Sequence, residues 1–201
     1  MDENTVKPKR SRNPFAMFAL APLGVSFDEQ DEGEDIVLLL RAHIVTLVPA
    51  FLEFIVFSIL PFVVIPVGSL IGFNISGFFG ATQLWILIIC WYVFLAGFVF
   101  FRFIFWYFNV YLLTNERIID FDFRGILHKE TSYANLTQIQ DVSPRIIGFF
   151  GTFFHYGNVY IQTAGEKPEF EFMNVARPDD VARTILGEVR DEETEAPGEI
   201  R

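Results

Sequence analysis

The sequence predicts a membrane α-helical hairpin followed by a mainly-β domain of about six to seven antiparallel strands, closed by a C-terminal helix. Three observations carry this. Two runs of membrane length hold almost no charge, apolar residues recur at every second position from residue 109, and they recur at helical spacing after residue 177.

Composition sets the first limits. The 201 residues are 52% hydrophobic and 17% aromatic, with 25 Phe, a load too heavy and too unevenly placed for a soluble domain of this size. The net charge of −10 argues against nucleic-acid binding, which needs a basic face to neutralise phosphates. The acids gather in "DEQDEGED", before the first apolar run, and after Leu186. Both stretches read as solvated segments.

Residues 1–43 form a cytoplasmic N-terminal arm and juxtamembrane segment. Its "KPKRSR" precedes an apolar stretch broken by Pro14 and Pro22, which does not fit a cleaved signal. An exposed or interfacial arm is expected, with a basic membrane-surface anchor as the alternative. The spans are 44–67 and 84–108, each roughly 36 Å long as a helix. The loop between them, 68–83, carries no charge. Lys7, Lys9, Arg10, Arg12 and Arg41 precede the first span, and Arg102, Arg117, Arg124 and Lys129 lie at or beyond the end of the second. The positive-inside rule then gives a two-span protein of the cell membrane with both termini cytoplasmic. Trp85 at one end of the second span and Trp106 with Tyr107 at the other fit interfacial aromatic belts.

Two ionisable residues fall inside the spans. Glu53 and Arg102 lie roughly 13 Å and 9 Å deep on antiparallel helices, so they are expected to meet as an intramembrane polar pair that fixes the hairpin. A proton or ion path is the alternative. Pro49, Pro61 and Pro66 predict a bent first helix. The single Cys90 fits a small apolar position in the second.

The region 109–189 follows with no linker. In "RIIDFDF", Ile119, Phe121 and Phe123 share one face and Asp120 and Asp122 the other. "NVYLLT" precedes it across a turn at Asn115-Glu116, and Arg124-Gly125 turns into "ILHKETSY". "NLTQIQDV" is a further strand, and "GNVYIQTA" pairs with "EFEFMNV" around residues 165–168. "RPDDVARTILGEV" predicts a helix with Pro178 and two Asp in its first turn and an apolar stripe of Val181, Ile185 and Val189. Residues 190–201 read as an acidic disordered tail.

The succession "YLLTNERII", "GIL", "NLTQIQDV", "YGNVYIQTAG" and "RPDDVARTI" resembles the bacterial pleckstrin-homology-like domains found beside membrane spans, also called membrane-flanked domains. The segment "EDIVLLLRAHIVTLVP" resembles the juxtamembrane stretch of two-span members. The resemblance implies a partly open barrel of two bent sheets with a capping helix.

The first turn of this domain, "LTNER", lacks the cluster of Lys and Arg that phosphate headgroups need, and acidic residues outnumber basic ones across the domain. Specific anionic-lipid headgroup binding is therefore disfavoured. Nucleophile, phosphate-loop and metalloprotease motifs are absent, and His43, His128 and His155 have no metal-ligand spacing. No catalytic residue, metal site or cofactor is expected. The unusual segment is "IIGFFGTFFHYG". Its Phe149, Phe150, Phe153 and Phe154 are either packed under the barrel or offered to lipid or a second subunit, and at least one ring is expected to face outward. The function expected is a membrane-anchored interaction or scaffolding protein at the cytoplasmic face of the inner membrane, integral to the bilayer, with a protein partner or a second copy. The alternative is a subunit of a transport or export complex with Glu53 and Arg102 in its polar core.

Overall fold

The computed structural model describes residues 13, 15–27, 30–72, 75–123, 129–164 and 169–194. They divide into two units, one drawn from 1–45 and 107–201 and the other from 46–106.

The helical unit starts from a single 3-10 turn, Ile44–Leu47, which leads into α1 (Val48–Leu70). A short helix, α2 (Ile75–Phe78), follows, and then α3 (Ala81–Phe108). The two long helices, of 27 residues counted from Ile44 and of 28, are long and apolar enough to cross a membrane. Pro49 sits in the first turn of α1, where its missing N–H costs nothing. Pro61 is interior and leaves the carbonyl four residues back, that of Phe57, without its helical donor. Trp91 of α3 supplies one, its Nε1–H donating to the Phe57 carbonyl at 3.0 Å. Next to it the Tyr92 hydroxyl donates to the Ser58 carbonyl at 2.7 Å. A proline-opened turn on one helix is thus closed by two side chains of the other.

These bonds set the register of the two helices. With Phe57 opposite Trp91, Glu53 faces a point on α3 roughly 10 Å short of Arg102. Among the described residues no ion pair joins Glu53 to Arg102. The Arg102 guanidinium lies instead over the Phe98 ring of its own helix, 5.3 Å from the centroid. Trp91→Phe is expected to loosen the hairpin by roughly 0.5–1.5 kcal/mol, and by much less in a Pro61→Ala background, where the helix supplies its own donor. Unfolding of the four chains in a double-mutant cycle measures this, and additive losses would separate Trp91 from the proline.

The second unit is a PH-like fold of two antiparallel sheets and a helix. One sheet has the order β1-β2-β3-β4-β5, from Phe18–Leu20, Ile36–Arg41, Val110–Thr114, Arg117–Phe123 and Lys129–Asn135. The other is β6-β7-β8, from Ile139–Arg145, Tyr156–Thr163 and Glu169–Ala176. The helix α4 (Gly148–Phe154) joins β6 to β7, and α5 (Pro178–Thr194) ends the described chain. Period-two alternation places Val159, Ile161, Phe170 and Phe172 in one core with Leu38, Leu40, Leu113 and Ile118. Val181, Ala182 and Ile185 of α5 close that core, and Val189 packs at its margin. The opposite face of the five-stranded sheet buries Leu39, Leu112 and Ile119 in a smaller cluster, covered by Ala16 and Phe27 of the arm.

The six strands after residue 109 lie within the number expected. The sheet takes two more from before the first long helix. "IVLLLR" is aliphatic on both faces because both are covered, so strict alternation does not mark it. β2 ends at Arg41, whose register partner across the sheet is Val110 of β3. Residues 42–109 are therefore an insertion between two neighbouring strands. The buried Arg41 secures the junction, donating from Nε to the Tyr107 carbonyl at 3.0 Å and from Nη1 to the Ala16 carbonyl at 3.2 Å, with its guanidinium 4.7 Å from the Tyr107 ring centroid. Tyr107 lies in the last turn of α3, where free carbonyls favour a cation.

At the other end α5 runs to Thr194, five residues into the stretch expected to be a disordered tail. Arg190, Glu192 and Glu193 are good helix formers and extend a helix already nucleated by its packed face. The predicted turns at 124–125 and 165–168 lie outside the described residues.

Candidate interaction surface

The Phe-rich segment becomes α4 for local reasons. Ile147 is extended and Gly148 takes φ +79°, so the chain leaves β6 through a turn that favours glycine. The helix ends at His155, whose φ of 54° is left-handed and whose N–H donates to the Gly151 carbonyl. Gly151 is the buried residue of the helix, and a Cβ there would lie 3.0 Å from the Tyr156 carbonyl. Gly157 is tighter, since a Cβ would lie 2.4 Å from the Arg145 carbonyl. One side of α4 therefore lies close against the start of β7 through Gly151, and its bulk projects from the other.

That bulk is four phenylalanines. Phe149, Phe150, Phe153 and Phe154 are 75%, 62%, 69% and 42% exposed, and Ile147 beside them is 66% exposed. A split between core and surface was expected, but none of the four is buried. The rings pack mainly on one another, with Phe149 stacked on Phe153 at 6.0 Å and Phe153 edge-on to Phe154 at 4.9 Å. From Ile146 to His155 the segment holds no Lys, Arg, Asp or Glu.

At the rim stands His43, the last residue before Ile44. Its ring stacks on Tyr156 at 5.3 Å and lies 6.3 Å from Phe154. The His43 backbone N–H donates to the Asn174 carbonyl at 2.6 Å, and the ring Nδ1 accepts from the Val45 N–H at 3.3 Å. Burial holds its pKa below the usual imidazole range, which favours the neutral ring. Sequence reasoning passed over His43 because nothing near it in the chain announces Tyr156 or Phe154.

A second constellation lies at the β3–β4 turn. Glu34, its side chain fully buried, accepts from Arg117 Nη2 at 2.8 Å, Arg117 Nε at 2.9 Å and the Thr114 hydroxyl at 2.7 Å. Asp31 meets Arg117 at 3.2 Å. Burial raises the Glu34 pKa, but the hydrogen bonds from Arg117 and Thr114 outweigh it and leave the carboxyl below its ordinary range. Burial and the nearby Glu34 and Asp31 push the Glu116 carboxyl up. Carboxylate oxygens of Asp31, Glu34 and Glu116 lie within 4.8 Å of one another. The Arg117 guanidinium already supplies positive charge there, so we read the cluster as a clamp that ties the arm to the sheet. The stretch expected to be solvated acid thus contains a buried anchor, invisible in sequence because its partner is more than eighty positions away.

Residues 44–189 match the family described as bacterial PH domain. Among solved structures, the chain is similar to a protein of the DUF1696 family with a pleckstrin-homology domain from Shewanella loihica PV-4. The identity is 19% over 40% of this chain and 69% of that one, with a TM-score of 0.31. No curated protein matches.

Proposed function

This chain belongs to the bacterial PH domain family, and we propose that it is a membrane-anchored member whose PH-like unit serves as an interaction or scaffolding platform at the cytoplasmic face of the cell membrane, without catalysis of its own. The observation that carries the proposal is the pairing of Arg41 with Val110. Neighbours in one sheet lie on one side of any membrane, so a chain that leaves at Arg41 and returns at Val110 crosses an even number of times. Two apolar helices of 27 and 28 residues between those points satisfy the condition. The absence of Lys and Arg from 68–83, against their presence on both flanks, favours the cytoplasm for the folded unit.

The interaction role draws its support from α4, a fixed apolar surface with no charge of its own. Transport through a polar core of Glu53 and Arg102 draws no comparable support, since the helix register offsets the two residues along the hairpin. In a Cys90→Ser background, Phe78→Cys is expected to react with an impermeant maleimide added to intact cells, and Thr194→Cys only after lysis. Labelling of Thr194→Cys in intact cells would reverse the orientation, and labelling of both would break the two-span topology.

A further inference from the structure

Resting on the anchored reading above, we propose that the Phe face of α4 is seated in the lipid interface of the same membrane, making α4 a second point of attachment that holds the PH-like unit on the bilayer. Three observations carry it. The face is apolar, uncharged and uncovered, with Ile147, Phe149, Phe150 and Phe153 each more than 60% exposed. It is held against the start of β7, because Gly151 of the helix lies so close to the Tyr156 carbonyl that a Cβ would stand 3.0 Å from it. And it lies beside the start of the first apolar span, since Phe154 is 6.3 Å from the ring of His43 and that span starts at the next residue, Ile44.

The last point selects lipid over another occupant. The polar layer on each side of a bilayer is roughly 5–8 Å thick, and a helix with its side chains is about 10 Å across. A helix beside the residue at which the apolar run starts therefore lies within about one helix diameter of that layer. Aromatic rings are at home at this depth, and the absence of any charge between Ile146 and His155 removes the desolvation cost of insertion. No headgroup recognition is involved. The burial of His43 fits the same place, because a neutral imidazole at the boundary avoids a charge beside the hydrocarbon.

The test uses the full chain, Cys90→Ser, in nanodiscs of phosphatidylcholine alone. A nitroxide is placed in turn at Phe150→Cys, Phe153→Cys, Val93→Cys and Arg190→Cys, and collisions with oxygen and with a water-soluble nickel chelate are compared. Position 93 is expected to report deep lipid and 190 water. Positions 150 and 153 are expected to be oxygen-accessible and several-fold shielded from nickel, at a depth just inside the headgroups. If 150 and 153 behave like 190 while 93 remains in lipid, α4 is not seated and only the anchoring stands. If 93 itself lies in water, the anchoring reading falls and this inference with it. Shielding of 150 and 153 from both reagents also overturns the proposal: in favour of a second copy if spin–spin broadening disappears on dilution with unlabelled chain, and in favour of burial within the chain or another protein if there is no broadening.

Discussion

A chain in which Ala42 is joined to Asn109 through a two-residue Asn-Gly turn is expected to fold, whereas the segment from Asn109 onward is expected not to. The splice removes the inserted helices and restores a β2–β3 hairpin whose register already exists, with Leu39 opposite Leu112 and Leu40 opposite Tyr111. Type I′ turns suit such a hairpin. Starting at Asn109 instead discards Ile36, Leu38, Leu39 and Leu40, all buried. At about 1.5–3 kcal/mol for each such side chain, roughly 6–12 kcal/mol of burial is lost. That is comparable with the whole net stability of a domain, about 5–15 kcal/mol, and β3 becomes an open edge as well. Circular dichroism during a denaturant titration measures both. A cooperative transition from the spliced chain and none from the truncated one is the expected pair. Equal cooperativity would show that β1 and β2 are dispensable.

The second large effect is expected at the clamp. Arg117→Met leaves the buried Glu34 carboxylate with the Thr114 hydroxyl as its remaining side-chain donor, and loss of a partner from a buried pair costs about 3–5 kcal/mol. Glu34→Gln is milder, because an amide keeps the Thr114 bond and needs no counter-charge. The pH dependence has a definite sign. The folded pKa of Glu34 lies below its ordinary 4.5, so the stabilisation is complete above that value and is lost as pH falls through the folded pKa. In Arg117→Met, burial acts on Glu34 with less opposition and the carboxyl titrates higher, so this site no longer favours the folded state as pH rises. Melting temperatures from about pH 3 to pH 7 should fall on acidification for the parent chain and less steeply for Arg117→Met. Parallel curves would remove Glu34 from the acid response.

What the sequence disclosed follows from how far its signals reach along the chain. Alternation in "EFEFMNV" and "GNVYIQTA" and the stripe of Val181, Ile185 and Val189 are local, and each appears in the core as read. β2 was hidden because "IVLLLR" is buried on both faces and merges by composition into the apolar run that follows. Its strand character depends on Val110–Thr114, on the far side of the inserted helices. Glu53 and Arg102 were judged by depth alone. The true register comes from Trp91 and Tyr92 answering the turn opened by Pro61, a contact that counting from the span ends does not reveal. The Phe segment is legible as unusual, but its exposure is not, because that depends on Gly151 meeting the Tyr156 backbone too closely to admit a larger side chain there.

The central claim is that the PH-like unit is completed by strands from before the first span. Hydrogen exchange of the full chain in detergent, read by mass spectrometry, tests it most directly. Peptides covering 36–41 should be protected to the same degree as those covering 156–163, because both lie in ladders that flank the same core and open only with it. If residues 36–41 exchange as fast as an unstructured arm while 156–163 remain protected, β2 is not part of the fold and the insertion account is wrong.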